Sequence, residues 1–224
     1  MKSKTFYPLF FLAMTYVLAG TSSCNKPYQP IGTNKYERPF FDYLWYHSLL
    51  KEPGGPKLNV QGSDGPLEIG YSFTSSIPGI VDKLGIMLPD SGKTYAVSLW
   101  DGVTKELLVQ KNIQILHPNL FNYVDLLPTN EFKVILANHP YMIGVFTAAI
   151  SASTNLEGDN FYYVQVDGGN IFPFTGYPHV VNFNQEYTLN TESPAFPKNP
   201  WPFGYVVTGL CDIEFTYVQP FKGN

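Results

Sequence analysis

The chain is poor in charge, in cysteine and in long apolar runs. Charged residues make up only 14% of its 224 residues, against roughly 25% in ordinary globular domains. With a formal net charge of −4 there is no basic patch to neutralise phosphates, so nucleic acid is excluded as a partner. Two cysteines, Cys24 and Cys211, exclude a disulfide-rich scaffold. No apolar run reaches the roughly 20 residues of a spanning helix. The longest in the body of the chain, Ile143 to Ile150, has the length of a buried strand.

Catalytic signatures are also missing. The histidines, His47, His117, His139 and His179, form no i, i+4 pair and no His-x-His, so the spacing of a metal site is absent. No Gly-x-Ser-x-Gly elbow or phosphate-cradling glycine loop is present. The histidines of His117-Pro118 and His139-Pro140 read as exposed turn residues. Asp212 and Glu214 share one face of a strand pattern, opposite Cys211, Ile213 and Phe215, and read as an ordinary solvated face. A glycosidase would need two carboxylates brought together; Asp125, Glu131, Asp212 and Glu214 are candidates that the sequence does not pair. We therefore expect a protein that is not an enzyme, and a hydrolase with an unrecognised site stands as an alternative.

What is present starts at the N-terminus. Lys2 and Lys4 precede an apolar run from Phe6 to Gly20, then Thr21-Ser22-Ser23-Cys24. Positive, apolar and small segments in that order are the layout of a secretory signal. The segment resembles a bacterial lipoprotein signal, in which the residue after cleavage is a cysteine that receives lipid. Ser22 and Ser23 fill the two small positions, whereas Thr21 stands where that family usually has Leu. The resemblance implies a signal peptide at residues 1–23, lipid on Cys24, and a membrane-anchored location at the outer membrane or cell surface. Two acyl chains give stable anchoring, since each buried CH₂ contributes about 0.8 kcal/mol. If Cys24 were not acylated, an exported chain could pair it with Cys211. Cys211 lies in an alternating strand pattern and reads as a buried, inert thiol.

Residues 24–35 lack periodicity and read as a tether. Residues 36–224 are long enough for one sizeable domain. In Tyr36 to Lys51 the spacing of Phe41, Leu44, Trp45, Leu49 and Leu50 fits a short helix near residues 40–50, and an edge strand fits nearly as well. Glu52 to Gly65 reads as a loop. From Pro66 onward the pattern is β. Ile69, Tyr71 and Phe73 alternate with Glu68, Gly70 and Ser72, and strands follow at Ile80–Leu88, Thr94–Trp100, Leu107–Leu116, Phe121–Leu126, Phe132–Leu136, Tyr141–Ile150, Phe161–Val166, Tyr205–Val207 and Leu210–Tyr217. Short strands with regular turn signals predict an all-β, antiparallel β-sandwich of jelly-roll or immunoglobulin-like type.

Three stretches carry a resemblance to an extracellular bacterial β-sandwich family of unknown function. They are Leu67–Phe73 with Pro78–Leu84, Val97-Ser98-Leu99-Trp100-Asp101 leading to Glu106-Leu107-Leu108, and Tyr141–Phe146. The first looks like that family's opening hairpin. Where the family has a glycine before the tyrosine strand, this chain has Asn138-His139-Pro140. The resemblance spans about residues 67–146. It implies a module of a surface protein, often found beside carbohydrate-related domains, and it brings no catalytic residue.

Between residues 161 and 205 the chain is dense in aromatics, including Tyr163, Tyr177, Phe196 and Trp201, interleaved with amides such as Asn170, Asn182 and Asn184. Flat rings match the apolar face of a sugar, and amides satisfy its hydroxyls; pockets combine such walls with a few placed polar groups. Tyr177, Trp201, Tyr163, Asn170 and Asn182 are the expected ligand-binding residues, with Tyr177 and Trp201 the most exposed. The same rings could instead fill a core. The partners expected are a membrane through the lipid anchor, and a polysaccharide or an envelope protein docking on the apolar segment Phe40–Leu50. No cofactor is implied. Asp90-Ser91-Gly92, Asp159-Asn160 and Asp167-Gly168-Gly169-Asn170 offer oxygen ligands that would suit Ca2+, though none has the spacing of a dedicated calcium loop.

Overall fold

Alternation of apolar and polar residues puts one face of each strand against a core and the other outward. The computed structural model describes residues 35–39, 59–62, 65–148, 159–165, 179–204 and 206–218. The strands are β1 (Lys35–Pro39), β2 (Asn59–Gly62), β3 (Leu67–Ser75), β4 (Gly79–Ile86), β5 (Thr94–Asp101), β6 (Leu107–Gln114), β7 (Asn122–Asp125), β8 (Lys133–Ile135), β9 (Pro140–Thr147), β10 (Asn160–Gln165), β11 (Val180–Leu189), β12 (Asn199–Pro200), β13 (Val206–Thr208) and β14 (Cys211–Val218). Among the described residues a 3-10 turn, Leu127–Thr129, interrupts them. Among the described residues no helix is long and apolar enough to cross a membrane. The helix or strand expected near residues 40–50, the tether before Lys35, and Cys24 lie outside the described residues.

The strands form three antiparallel sheets. The largest runs β12-β11-β3-β9-β5-β6; a second runs β1-β14-β4-β7, with β8 also paired to β4; the third is β13-β10-β2. They pack as a β-sandwich around one apolar cluster. That cluster takes Ile69, Tyr71 and Phe73 from β3, Val97 and Leu99 from β5, and Ile143 and Val145 from β9. Opposite stand Leu84 and Ile86 from β4, Ile213 and Phe215 from β14, and Val164 and Val207 from the third sheet. Burying one such side chain contributes about 1.5–3 kcal/mol, so the alternation is what selects this register.

Several sequence expectations need correction. β3 and β4 are not a hairpin: β3 pairs with β11 and β9, β4 with β14, β7 and β8, and Ser76 to Pro78 carries the chain between opposite sheets. The expected loop 52–65 contains β2, which pairs with β10 from Asn59 to Gly62. Between the expected strands ending at Val166 and beginning at Tyr205, where no strand was expected, lies β11, ten residues long.

Nor is Asp212 solvated, for it is fully buried and Glu214 is partly so. The reason lies across the sheet, where Asp212 faces Gly85 and Gly85 faces Tyr123. A Cβ on Gly85 would stand 2.4 Å from the Tyr123 ring. The bare glycine lets that ring lie flat over β4, and the Tyr123 hydroxyl donates to Asp212 Oδ2 at 3.4 Å. Cys211 is buried as expected, and burial pushes its thiol pKa up.

Two of the three oxygen-rich loops meet. Asp90 Oδ2 accepts from the Asn160 backbone N–H at 2.8 Å and from the Tyr95 hydroxyl at 2.8 Å, while Asn160 Nδ2 donates to Oδ1 at 2.8 Å. The Lys93 ammonium lies 3.2 Å from Asp90 and 3.3 Å from Asp159. Burial acts to raise the Asp90 pKa, but the hydrogen bonds from Asn160 and Tyr95 outweigh it and hold the carboxyl below its ordinary value. The cation bridging these loops is thus a side chain. Asp167 to Asn170 lies outside the described residues.

Candidate functional site

The outward face of the six-stranded sheet is the chemically richest surface described. Register places its residues in rows across the strands. One row is Thr188, Glu68, Phe146 and Ala96; the next is Glu186, Gly70, Gly144 and Ser98; the third is Asn184, Ser72, Met142 and Trp100. Met142 and Trp100 are buried yet stand outside the core cluster. A second covered layer therefore exists on this face.

The cover is the segment after β11. Asn190, with φ 57, turns the chain back, and its N–H donates to the Pro66 carbonyl at 2.9 Å. Residues 191–198 then cross the face. The Thr188 hydroxyl donates to the Phe196 carbonyl at 3.1 Å and accepts from the Lys198 N–H at 3.2 Å. The Phe196 ring meets the Trp100 ring edge-on, with centroids 6.2 Å apart. The Lys105 ammonium lies 5.7 Å from the Phe196 centroid, a cation–π distance. Lys105 is brought there by the turn after β5. Asp101 Oδ1 accepts from the Val103 and Thr104 N–H groups at 2.8 Å each. His139 Nε2 lies 2.7 Å from Asp101 Oδ2. The Thr104 amide beside Asp101, with His139 and the Val103 amide, holds its carboxyl down at about 2. His139 is thus a part-buried turn partner rather than a free exposed ring, whereas His117 is exposed as expected.

Beside this cover opens a groove of about 490 Å³, lined by Asn182, Asn184, Glu186, Lys105, Phe196 and Lys198, with Ser72 and Met142 also on its wall. A second hollow of about 450 Å³ adjoins it and shares Asn184 and Glu186; its far wall is Trp201 with Pro200 and Pro202. Burial raises the Glu186 pKa, against the Ser72 hydroxyl and the Lys105 charge. The shared centre is thus an amide and a carboxyl, with a phenyl ring on one side and an indole on the other.

The expected site residues divide. Asn182 lines the first hollow, exposed, at the irregularity in β11 between Val180 and Phe183, with φ 49. Trp201 lines the second, but its ring is partly buried, edge-on to Tyr187 at 5.4 Å and to Phe203 at 6.0 Å. It is not the free-standing platform the flanking prolines suggested, because its backbone N–H donates to the Gln185 carbonyl and draws it to the sheet edge. Tyr163 lies on β10 in the third sheet, paired with Thr208 and Asn59, and lines neither hollow. Tyr177 and Asn170 lie outside the described residues. Glu186, Lys105 and Lys198 were not foreseen, since only register and the Asp101 turn bring them together. Asn184 and Phe196 belonged to the aromatic and amide pattern that pointed here. Among the described residues no cluster of three or more His, Cys, Asp or Glu could hold a metal ion.

Compared with models of known protein families and with curated proteins, the chain matches none.

Proposed function

We propose that this chain is a lipid-anchored cell-envelope protein whose β-sandwich binds glycan without catalysing a reaction. The observation that carries the binding reading is the pair of adjoining hollows sharing Asn184 and Glu186 between Phe196 and Trp201. Rings match the C–H faces of successive sugar units, and the amide and carboxyl between them match hydroxyls. A site on the face of a rigid sheet limits the side-chain ordering lost on binding.

The test is a broad glycan array probed with the full-length chain in a detergent without a sugar headgroup. Saturable binding is expected, weakened at least tenfold by Asn184→Ala and by Trp201→Ala. A folded chain that binds no glycan overturns the reading. A protein partner would then be sought at β8, where Phe132, Val134 and Leu136 are all exposed on a strand at the sheet's edge, the kind of surface that pairs with another chain.

The anchoring reading is supported by the order of residues 1–24. In a bacterial host, the native chain is expected in the membrane fraction and labelled by radioactive palmitate. Cys24→Ser is expected to abolish the label and move the chain to the soluble fraction. A Cys24→Ser chain that stays membrane-bound and labelled overturns the anchor.

A further inference from the structure

The face beneath residues 191–198 carries more buried polar chemistry than the fold needs. Glu68 is fully buried, and neither carboxyl oxygen is hydrogen-bonded. Trp100 is 8% exposed, and its Nε1 has no partner. The Thr191 hydroxyl is likewise sealed and unpartnered. Leaving such groups unpaired costs the folded state their full desolvation, and native folds rarely keep unpaired groups without a reason.

The floor between Glu68 and Trp100 is bare backbone. Gly70 and Gly144 face each other across β3 and β9. A Cβ on Gly70 would stand 2.0 Å from the Ile143 carbonyl oxygen, and one on Gly144 would stand 2.6 Å from Glu68 Oε1. β3 and β9 thus approach as only glycines allow, and the Glu68 carboxyl packs directly on Gly144. The covering segment is held to the sheet by the Thr188 hydroxyl and by the Phe196 ring.

We propose that Glu68 and Trp100, with Gly70 and Gly144 between them, form a covered saccharide subsite that borders the groove at Phe196 and opens when residues 191–198 lift. It rests on the glycan-binding reading and extends it by one sugar unit. Phe196 is the chain's own apolar occupant of the place beside Trp100. When it leaves, a sugar unit takes its place against the indole, with one hydroxyl accepting from Nε1–H and others hydrogen-bonding to the Glu68 carboxyl. The cover lowers apparent affinity by the fraction of time it is closed.

The experiment is calorimetric titration of the full-length chain with cellohexaose, xylohexaose, chitohexaose and maltohexaose. Phe196→Ala is expected to tighten binding several-fold. Glu68→Gln and Trp100→Phe are expected to weaken it at least fivefold, and Trp100→Phe to cancel the gain from Phe196→Ala. Thermal melts of each variant separate lost binding from lost fold. If Asn184→Ala loses binding while Glu68→Gln and Trp100→Phe bind as the native chain does, the subsite is overturned and the groove stands. If none of the four sugars binds the native chain or Phe196→Ala, the subsite is overturned, and the glycan array decides the groove.

Discussion

Glu68→Gln is expected to stabilise the protein by roughly 3–5 kcal/mol at pH 8 and to flatten its stability between pH 5 and 9. Burial raises the Glu68 pKa from 4.5 to about 9, against the Ala195 backbone amide, which pulls the other way. In the unfolded chain the carboxyl ionises near its ordinary value, while in the folded chain it keeps its proton until about pH 9. The folded state therefore binds more protons across that window, and unfolding becomes easier as pH rises. The full stability is present below about pH 4.5 and falls by up to about 1.4 kcal/mol per pH unit until about pH 9. Glutamine keeps the shape and has no proton to lose. Urea unfolding of both chains at pH 5, 7 and 8 checks this. Curves that differ equally at all three values would mean that Glu68 is not buried unpaired. A difference that grows and then levels off early would measure the free energy of lifting residues 191–198, because ionisation would then open the cover instead of unfolding the sheet.

Phe183→Ala is expected to cost about 3–5 kcal/mol and to lower the melting temperature on the order of 10 °C. Phe183 is fully buried, stacks on Tyr71 with centroids 4.8 Å apart and planes 13° apart, and faces Phe73 across the sheet. Truncation would leave a cavity among three rings and remove a stacking contribution of about 0.5–1.5 kcal/mol. Val181→Ala, at an exposed position of the same strand, is expected to change stability by less than about 0.5 kcal/mol. Circular-dichroism melts of the two variants suffice. Equal melts would show that β11 is not a core strand. The loss should reach function too, since Asn182 and Asn184 flank Phe183 and take their positions from it.

That strand also shows where sequence reasoning stopped. The sandwich class and most strands were legible because one face of each is apolar and the period of two is unbroken, as in Ile69, Tyr71 and Phe73. In β11 the period breaks twice. Asn182 takes a left-handed φ at the register shift, and the inward position after Phe183 is Gln185, buried with its Oε1 accepting from the Thr208 N–H at 3.4 Å. A polar residue inside and an extra residue in the pairing hide the alternation. β2 is hidden differently, for its four residues Asn59–Gly62 hold one apolar side chain, Val60, and that is exposed.

The site was legible in composition but not in assembly. Aromatics and amides after residue 161 marked the right region, and Asn182 and Trp201 border the two hollows. Glu186 and Lys105 are separated by eighty residues of chain and meet only through the order β11-β3-β9-β5. Glu68 looked like any outward residue of an alternating strand. It is buried because a later segment folds over it, which no local pattern announces.

The joining of Asp90, Asp159 and Lys93 bears on where such a protein can work. Secreted sandwiches often fasten their loops with an ion borrowed from the medium, and their integrity then follows the supply of that ion. Here the fastening charge is carried on the polypeptide itself, between loops about 70 residues apart in sequence. It cannot be leached by dilution, by rain-like washes or by competing chelating polymers. Loops fastened this way stay joined through changes in the hardness of the surrounding water.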